Sequence, residues 1–206
     1  MSQDPLILAI ETSGPAGSTA LLRGAEVVAE RRFDPAMRGG SVLFPGVTLV
    51  LAASGGAPPD LVAVGIGPGS YTGARIGVTF AKTYAFARGI PLLAVSSLEA
   101  IALRERPSGR SAVLMHAHPG QCYAAVYACE GTAPPRVLQA PALVSRDLFL
   151  AGLAGDETII EAPPAQSWAA DLGRVAARRG RADAVLDPGA LEPLYLQAPS
   201  PERIPS

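Results

Sequence analysis

The stretch Gly67-Pro68-Gly69-Ser70-Tyr71-Thr72-Gly73-Ala74-Arg75-Ile76-Gly77 decides how this chain is read. It follows the apolar run Leu61-Val62-Ala63-Val64-Gly65-Ile66 and leads into helical spacing at Ile76, Phe80, Tyr84 and Ala87. A buried strand, a glycine-rich turn and a helix N-terminus in succession aim backbone N–H groups at an anion or at another polypeptide. Gly67, Gly69 and Gly73 permit a close backbone approach that a Cβ would resist. Ser70 or Thr72 is placed to cap the helix, and Arg75 points out of its first turn. The occupant is either a phosphate or a partner protein.

Working outward, 206 residues suffice for one large domain or two small lobes with a real core. Apolar residues make up 49% and charged residues 17%, which excludes a disordered chain. The net charge of −1 argues against strong nucleic-acid binding by this chain alone, which needs a basic excess. Lys82 is the only lysine among 17 basic residues, a bias read as compositional. Cys122 and Cys129 lie an odd distance apart in one expected strand, on opposite faces, so they cannot bridge each other. With no disulfide framework and no basic-then-apolar start, the expected location is cytoplasmic.

Between Gly39 and Pro59 no residue is charged. Pro45, Gly46, Thr48, Ser54 and Gly55-Gly56 make this too short for a membrane span. The expected element is a helix over residues 40–54, with Pro45 in its first turn and the glycine pair at its end. A helix apolar all round must be covered all round. One face can lie on a sheet; the other calls for a second subunit or a partner.

Strands are expected at 6–11, 18–23 and 26–33 as an antiparallel meander, then at 61–66 and 91–95, with helices at 73–88 and from Leu98. Glu99 stands at the capping-box position after Ser96. Beyond a polar linker at 104–110 the pattern restarts. Residues 112–115, the turn His116-Ala117-His118-Pro119-Gly120 and the strand 122–129 repeat the order of 6–22, a degenerate internal duplication. A helix near 145–153, a strand near 158–161 and a helix near 166–179 follow. The Pro-rich end, 198–206, is expected to be loosely ordered. The fold class is α/β in two lobes, 1–105 and a smaller 106–206.

The glycine loop, its helix, Gly89-Ile90-Pro91 and Val95-Ser96-Ser97-Leu98-Glu99-Ala100 resemble the bacterial TsaB (YeaZ) family. The likeness extends to Leu8-Ala9-Ile10-Glu11-Thr12-Ser13, to Gly120 and Tyr123, and more weakly to Glu192-Pro193-Leu194-Tyr195-Leu196. The resemblance implies the two-lobed actin/sugar-kinase/Hsp70-like (ribonuclease H-like) fold with a degenerate second lobe. It implies a non-catalytic subunit that binds a TsaD-type catalytic subunit, together with a TsaE-type ATPase, to place threonylcarbamoyl on adenosine beside the tRNA anticodon. tRNA would be reached only through the complex. Three departures stand out: Gly39-Gly40-Ser41 where the family often has His-Ser-Glu, His116-Ala117-His118 for Asp-Ala-Arg, and Glu11 for Asp.

ATP-using members of such a fold place a carboxylate at the end of the first strand of each lobe, because Mg²⁺ takes hard oxygen ligands. Here Glu11 serves lobe one, but His116 stands in lobe two, and an imidazole is a poor Mg²⁺ ligand. Glu11, Thr12, Ser13, Gly67, Gly69, Ser70, Thr72, Gly73 and Arg75 are therefore read as vestigial phosphate-type loops, with no cofactor. His116 and His118 lack a third metal ligand, so no metal is expected. Gly69-Ser70-Tyr71-Thr72-Gly73 has the wrong register for a nucleophile elbow. Arg174, Arg178, Arg179 and Arg181 form either a solvated face or a contact for tRNA or an acidic partner.

The expected partner interface is Val42, Leu43, Phe44, Val47, Val50 and Leu51 from the uncharged helix, with Ile76, Gly77, Phe80, Ala81 and Tyr84 from the helix after the loop. Alone, this face would pair with itself as a homodimer. The alternative is a small ATP-dependent phosphotransferase using the Gly67–Gly73 loop.

Overall fold

A computed structural model of the chain describes residues 4–14, 16–34, 40–105, 108–163, 166–185 and 187–196. The expected loose end at 198–206 lies outside these residues.

The first sheet holds β1 (Leu6–Glu11), β2 (Ser18–Arg23), β3 (Glu26–Arg32), β4 (Leu61–Gly65) and β5 (Leu92–Val95), in the order β3-β2-β1-β4-β5. β1 is antiparallel to β2 and parallel to β4. Both faces of β1 are buried, and its alternation sorts two cores. Leu6, Leu8 and Ile10 face α1 (Gly40–Ala52) and α2 (Tyr71–Arg88), where Leu43, Val47, Val50, Val78, Ala81 and Ala85 meet them. Ile7 and Ala9 face the other way, toward Leu172, Val175 and Ala176 of α5 (Ala169–Arg179).

The second sheet has β6 (Gly109–His118), β7 (Gln121–Cys129), β8 (Arg136–Ser145) and β9 (Thr158–Glu161), in the order β8-β7-β6-β9. Its antiparallel pairs and the parallel β6–β9 pair reproduce the pattern β3-β2-β1-β4. The restart at residue 112 is thus a repeated topology. Cys122 packs with α4 (Arg146–Ala151) on one face, beside Phe149, and Cys129 on the other, beside Leu98 and Trp168 of the inter-sheet layer.

β8 is not among the expected strands; it is a largely exposed edge carrying Pro141, which falls at the register shift between Ala142 and Gln139 and so breaks no regular ladder. Pro45 lies inside α1, whose first residue is Gly40, and not in its first turn; the N–H it lacks would have served Ser41, which is exposed to water. Glu99 accepts from the Ser96 N–H, the reach-back bond of the expected capping box, and it is also buried and paired with Arg179. α5, which falls within the expected 106–206, packs on the first sheet. Together with α3 (Ser97–Glu105) it fills the layer between the sheets, α3 packing on β6 and β7 and α5 covering β1 and β2. No helix among the described residues is long and apolar enough to cross a membrane.

Candidate functional site

The glycine loop is closed by the chain itself. Glu11 ends β1 fully buried, and its Oε1 accepts from the Ser13 N–H at 2.5 Å, the Ser13 hydroxyl at 2.7 Å and the Gly14 N–H at 3.3 Å. Its Oε2 accepts from the Ser97 hydroxyl at 2.7 Å. The Ser70 N–H donates to the Ser13 carbonyl at 2.7 Å, the Thr12 hydroxyl to the Gly73 carbonyl at 2.7 Å, and the Ser97 N–H to the Gly67 carbonyl at 2.8 Å. Ser70 caps α2, its hydroxyl accepting from the Gly73 N–H at 3.2 Å.

The glycines of the loop are dictated by this closure. A Cβ on Gly65 would run into the Glu11 carboxylate, one on Gly69 into the Ser13 carbonyl and one on Gly73 into the Thr12 carbonyl, each closer than real Cβ atoms approach. What looks like a phosphate cradle is a socket filled by Glu11-Thr12-Ser13. A Mg-nucleotide does not fit here, because both oxygens of the Glu11 carboxylate are engaged within the chain and the Glu11-Thr12-Ser13 backbone fills the space against Gly65, Gly69 and Gly73. Thr72 and Arg75 lie outside the socket on the surface; the Arg75 guanidinium sits 5.4 Å over the Tyr71 ring and donates to its hydroxyl at 3.1 Å.

At the matching end of β6, His116 and His118 border a pocket of about 140 Å³ with Cys122, Arg146 and Glu161. Arg146 and Glu161 pair at 2.5 Å, and burial pushes the Cys122 thiol above its ordinary range. Among the described residues no three His, Cys, Asp or Glu side chains could hold a metal.

The interface expected from the sequence divides in two. Leu43, Val47, Val50 and Ala81 are buried in the lobe's own core, and Gly77 backs onto Thr12 and Ile10 rather than onto α1; these five face inward and cannot touch a partner directly. Phe44 is 67% exposed, and Val42, Leu51, Ile76, Phe80 and Tyr84 are half-buried. Phe44 of α1 meets Phe80 of α2 edge-on at 6.5 Å, and Phe80 stacks on Tyr84 at 6.1 Å. The Arg88 guanidinium ends this ladder 5.6 Å over the Tyr84 ring. Leu49, 60% exposed, and Phe86, 82% exposed, are further apolar side chains in water on the same two helices and were not foreseen. In α1 every position is apolar or uncharged, so helical spacing alone hides which side faces out; the offset of Leu49 by about half a turn from Val47 was the available signal.

Three of the four C-terminal arginines are engaged within the molecule. Arg174 pairs with Asp171 at 2.7 Å, Arg178 donates to the Gly131 and Ala133 carbonyls, and Arg179 donates to Glu99 and to the Ala94 carbonyl. Sequence reasoning also missed Ser97, which completes the Glu11 shell from 86 residues away, and the tilted pair of Tyr195 on Tyr71 at 4.8 Å.

Two sheets of repeated topology around a shared helical layer, with the phosphate-type loop filled by its own chain, define a two-lobed actin/sugar-kinase-like protein with a closed first-lobe site. YeaZ from Pseudomonas aeruginosa shares this fold at a TM-score of 0.75 and 24% identity, over 93% of this chain and 100% of that one. Residues 43–147 match the family model described as TsaD, tRNA N6-adenosine threonylcarbamoyltransferase. The TsaB protein of Bacillus subtilis is 43% identical over 124 residues, 59% of this chain and 54% of that protein. A Mycobacterium tuberculosis protein is 33% identical over 200 residues, 94% of this chain and 92% of that one. The chain belongs to the TsaB (YeaZ) family. It matches only about half the length of the Bacillus TsaB.

Proposed function

We propose that this chain is a non-catalytic subunit in the formation of threonylcarbamoyladenosine on tRNA, and that it holds a TsaD-type catalytic subunit through the outer face of α1 and α2. The observation that carries the reading is the exposed Phe44 set against the half-buried Phe80 and Tyr84, an aromatic ladder on two helices already braced by a packed core. Such a patch on a folded domain marks a protein contact. A TsaE-type ATPase completes the assembly, tRNA is engaged only through it, and the free chain pairs with itself through the same face. The name of the Bacillus relative, a tRNA threonylcarbamoyladenosine biosynthesis protein, supports the pathway.

The test is a tRNA modification assay with the TsaD-type and TsaE-type proteins, with and without this chain and its Phe44→Asp variant. Modification should require the chain and fall at least tenfold with Phe44→Asp while the circular dichroism of the variant is unchanged. Full activity without the chain would remove the reading. The competing phosphotransferase would bind Mg-ATP tightly in calorimetry and lose that binding with Glu11→Ala. The engagement of Glu11 by Ser13 and Ser97 argues against it.

A further inference from the structure

The motif Glu192-Pro193-Leu194-Tyr195-Leu196 lies in a strap, residues 187–196, that crosses α2 at Lys82 and Tyr71. Tyr71, Arg75 and Lys82, spaced by four and seven residues, share one side of the helix; Phe80 and Tyr84 stand about half a turn away. Asp187 opens the strap, its Oδ1 accepting from the Gly189 N–H at 2.8 Å. The Lys82 ammonium donates to the Gly189 carbonyl at 2.7 Å and to the Leu191 carbonyl at 2.9 Å. The Leu194 N–H donates to the Ile66 carbonyl at 2.8 Å, just ahead of the glycine loop, and Tyr195 lies on Tyr71. No residue of the strap is buried, and Leu191 reaches the core of the lobe only half-buried. A segment with so little buried apolar surface opens locally while the core stays folded. Lys82 supplies two of the bonds that close it, both through one charged group, and it is the only lysine in the chain.

We infer that Lys82 is an acylation site that latches this strap: charged, it holds residues 187–196 on α2, and acylated, it leaves them open. An ammonium engaged with two carbonyls has no lone pair to offer, so the closed strap guards Lys82. Opening hands the amine to water and to an activated acyl donor, a thioester or an acyl phosphate. The ammonium first gives one proton to solvent, and Nζ attacks the acyl carbon. The C–N bond forms as the C–S or C–O bond breaks; thiolate or phosphate leaves, and a second proton passes to solvent. The resulting amide is uncharged and keeps one N–H in place of three, with an acyl group added at the strap. It cannot restore both bonds to Gly189 and Leu191. The strap therefore stays open, and the Ile66 carbonyl and the Tyr71 ring are uncovered beside the glycine loop. The aromatic ladder, on the other side of α2, is left as it was.

The experiment follows acylation and hydrogen exchange on the full chain, with acetyl phosphate as the probe. Acetylation of Lys82 is read by mass spectrometry as the loss of tryptic cleavage after this residue, which separates it from reaction at the N-terminal amine. In the folded wild type it should run about tenfold more slowly than in the chain unfolded in guanidinium chloride, and Tyr195→Ala should speed it. The amides of Ala190, Leu191 and Leu194 should exchange about tenfold faster in the acetylated chain and in Lys82→Gln, while those of β1 and β4 keep their protection. Strap amides that exchange at the wild-type rate in both the acetylated chain and Lys82→Gln overturn the latch. A Lys82 that acetylates as fast in the folded chain as in the unfolded one, or at a rate that Tyr195→Ala leaves unchanged, overturns the strap as its guard. Should Lys82→Gln fail to fold, the acetylation rates of the wild type and Tyr195→Ala decide the matter by themselves.

Discussion

Gly73 shows how a single residue in this fold answers to packing before propensity. It lies in the first turn of α2, where alanine would be favoured over glycine by about 1 kcal/mol. A Cβ there would collide with the Thr12 carbonyl, a backbone atom that cannot step aside without moving the β1–β2 turn. Overpacking costs roughly 1–3 kcal/mol, so Gly73→Ala is expected to lower stability in urea unfolding despite its better helix propensity. A neutral or stabilised variant would mean that the socket is looser than described. Glu11 belongs to the same argument. Glu11→Gln keeps the shape, and the Ser97 hydroxyl can accept from the new amide while donating to the Ser13 hydroxyl 3.2 Å away, but neutral bonds replace those to a carboxylate; a loss of about 1 kcal/mol is expected in the same measurement.

At the scale of the element, α1 carries two opposite roles on two sides. Val50 faces the sheet and Phe44 faces water. Val50→Asp should lower the melting temperature by more than 10 °C, since it buries an unpaired carboxylate, whereas Phe44→Asp should leave it within about 2 °C and act on association alone. A charge at Val50, the obvious choice from sequence, would therefore report on folding. Helices α3 and α5 are joined by Glu99 and Arg179, which meet at 2.5 Å with little solvent access. Burial raises the Glu99 carboxyl above its ordinary value, against the pull of Arg179, and Asp171 is raised in the same way beside Arg104 and Arg174. Acids whose folded pKa lies above the unfolded one favour the folded state while protonated. Their contribution is therefore greatest below the ordinary carboxylate range and declines as pH climbs from there through the raised values. Glu99→Gln should flatten that part of the profile of melting temperature against pH; an unchanged slope would remove Glu99 from its cause.

For the whole molecule, the decisive arrangement is the layer of α3 and α5 between the sheets. Ile7, Ala9, Ala20 and Leu22 of the first sheet are covered by Leu172, Val175 and Ala176, which arrive from the far end of the chain. A fragment of residues 1–105 would expose that face to water. It is expected to fail as a folded unit, with no cooperative thermal transition and strong binding of a hydrophobic dye, while the full chain unfolds in one transition. A cooperatively folded fragment would show that the first sheet needs no cover from α5.

The sequence by itself determined the strands of the first sheet, the repeat that begins the second and a cap for α2 at Ser70 or Thr72, because each rests on local periodicity or on side chains a few positions apart, while its motifs carried the resemblance to the family. It could not show that Ser97 completes the shell of Glu11, that α5 crosses back to β1, or that Val50 and Phe44 face opposite ways on a helix apolar all round. Those facts depend on which surfaces meet once the chain is compact. The glycine loop joins both halves of the lesson. Its spacing announced a close approach of backbone to something, and only the tertiary structure decided that the something is the chain's own Glu11-Thr12-Ser13, since a turn 60 residues away supplies the carbonyls and carboxylate that fill the socket.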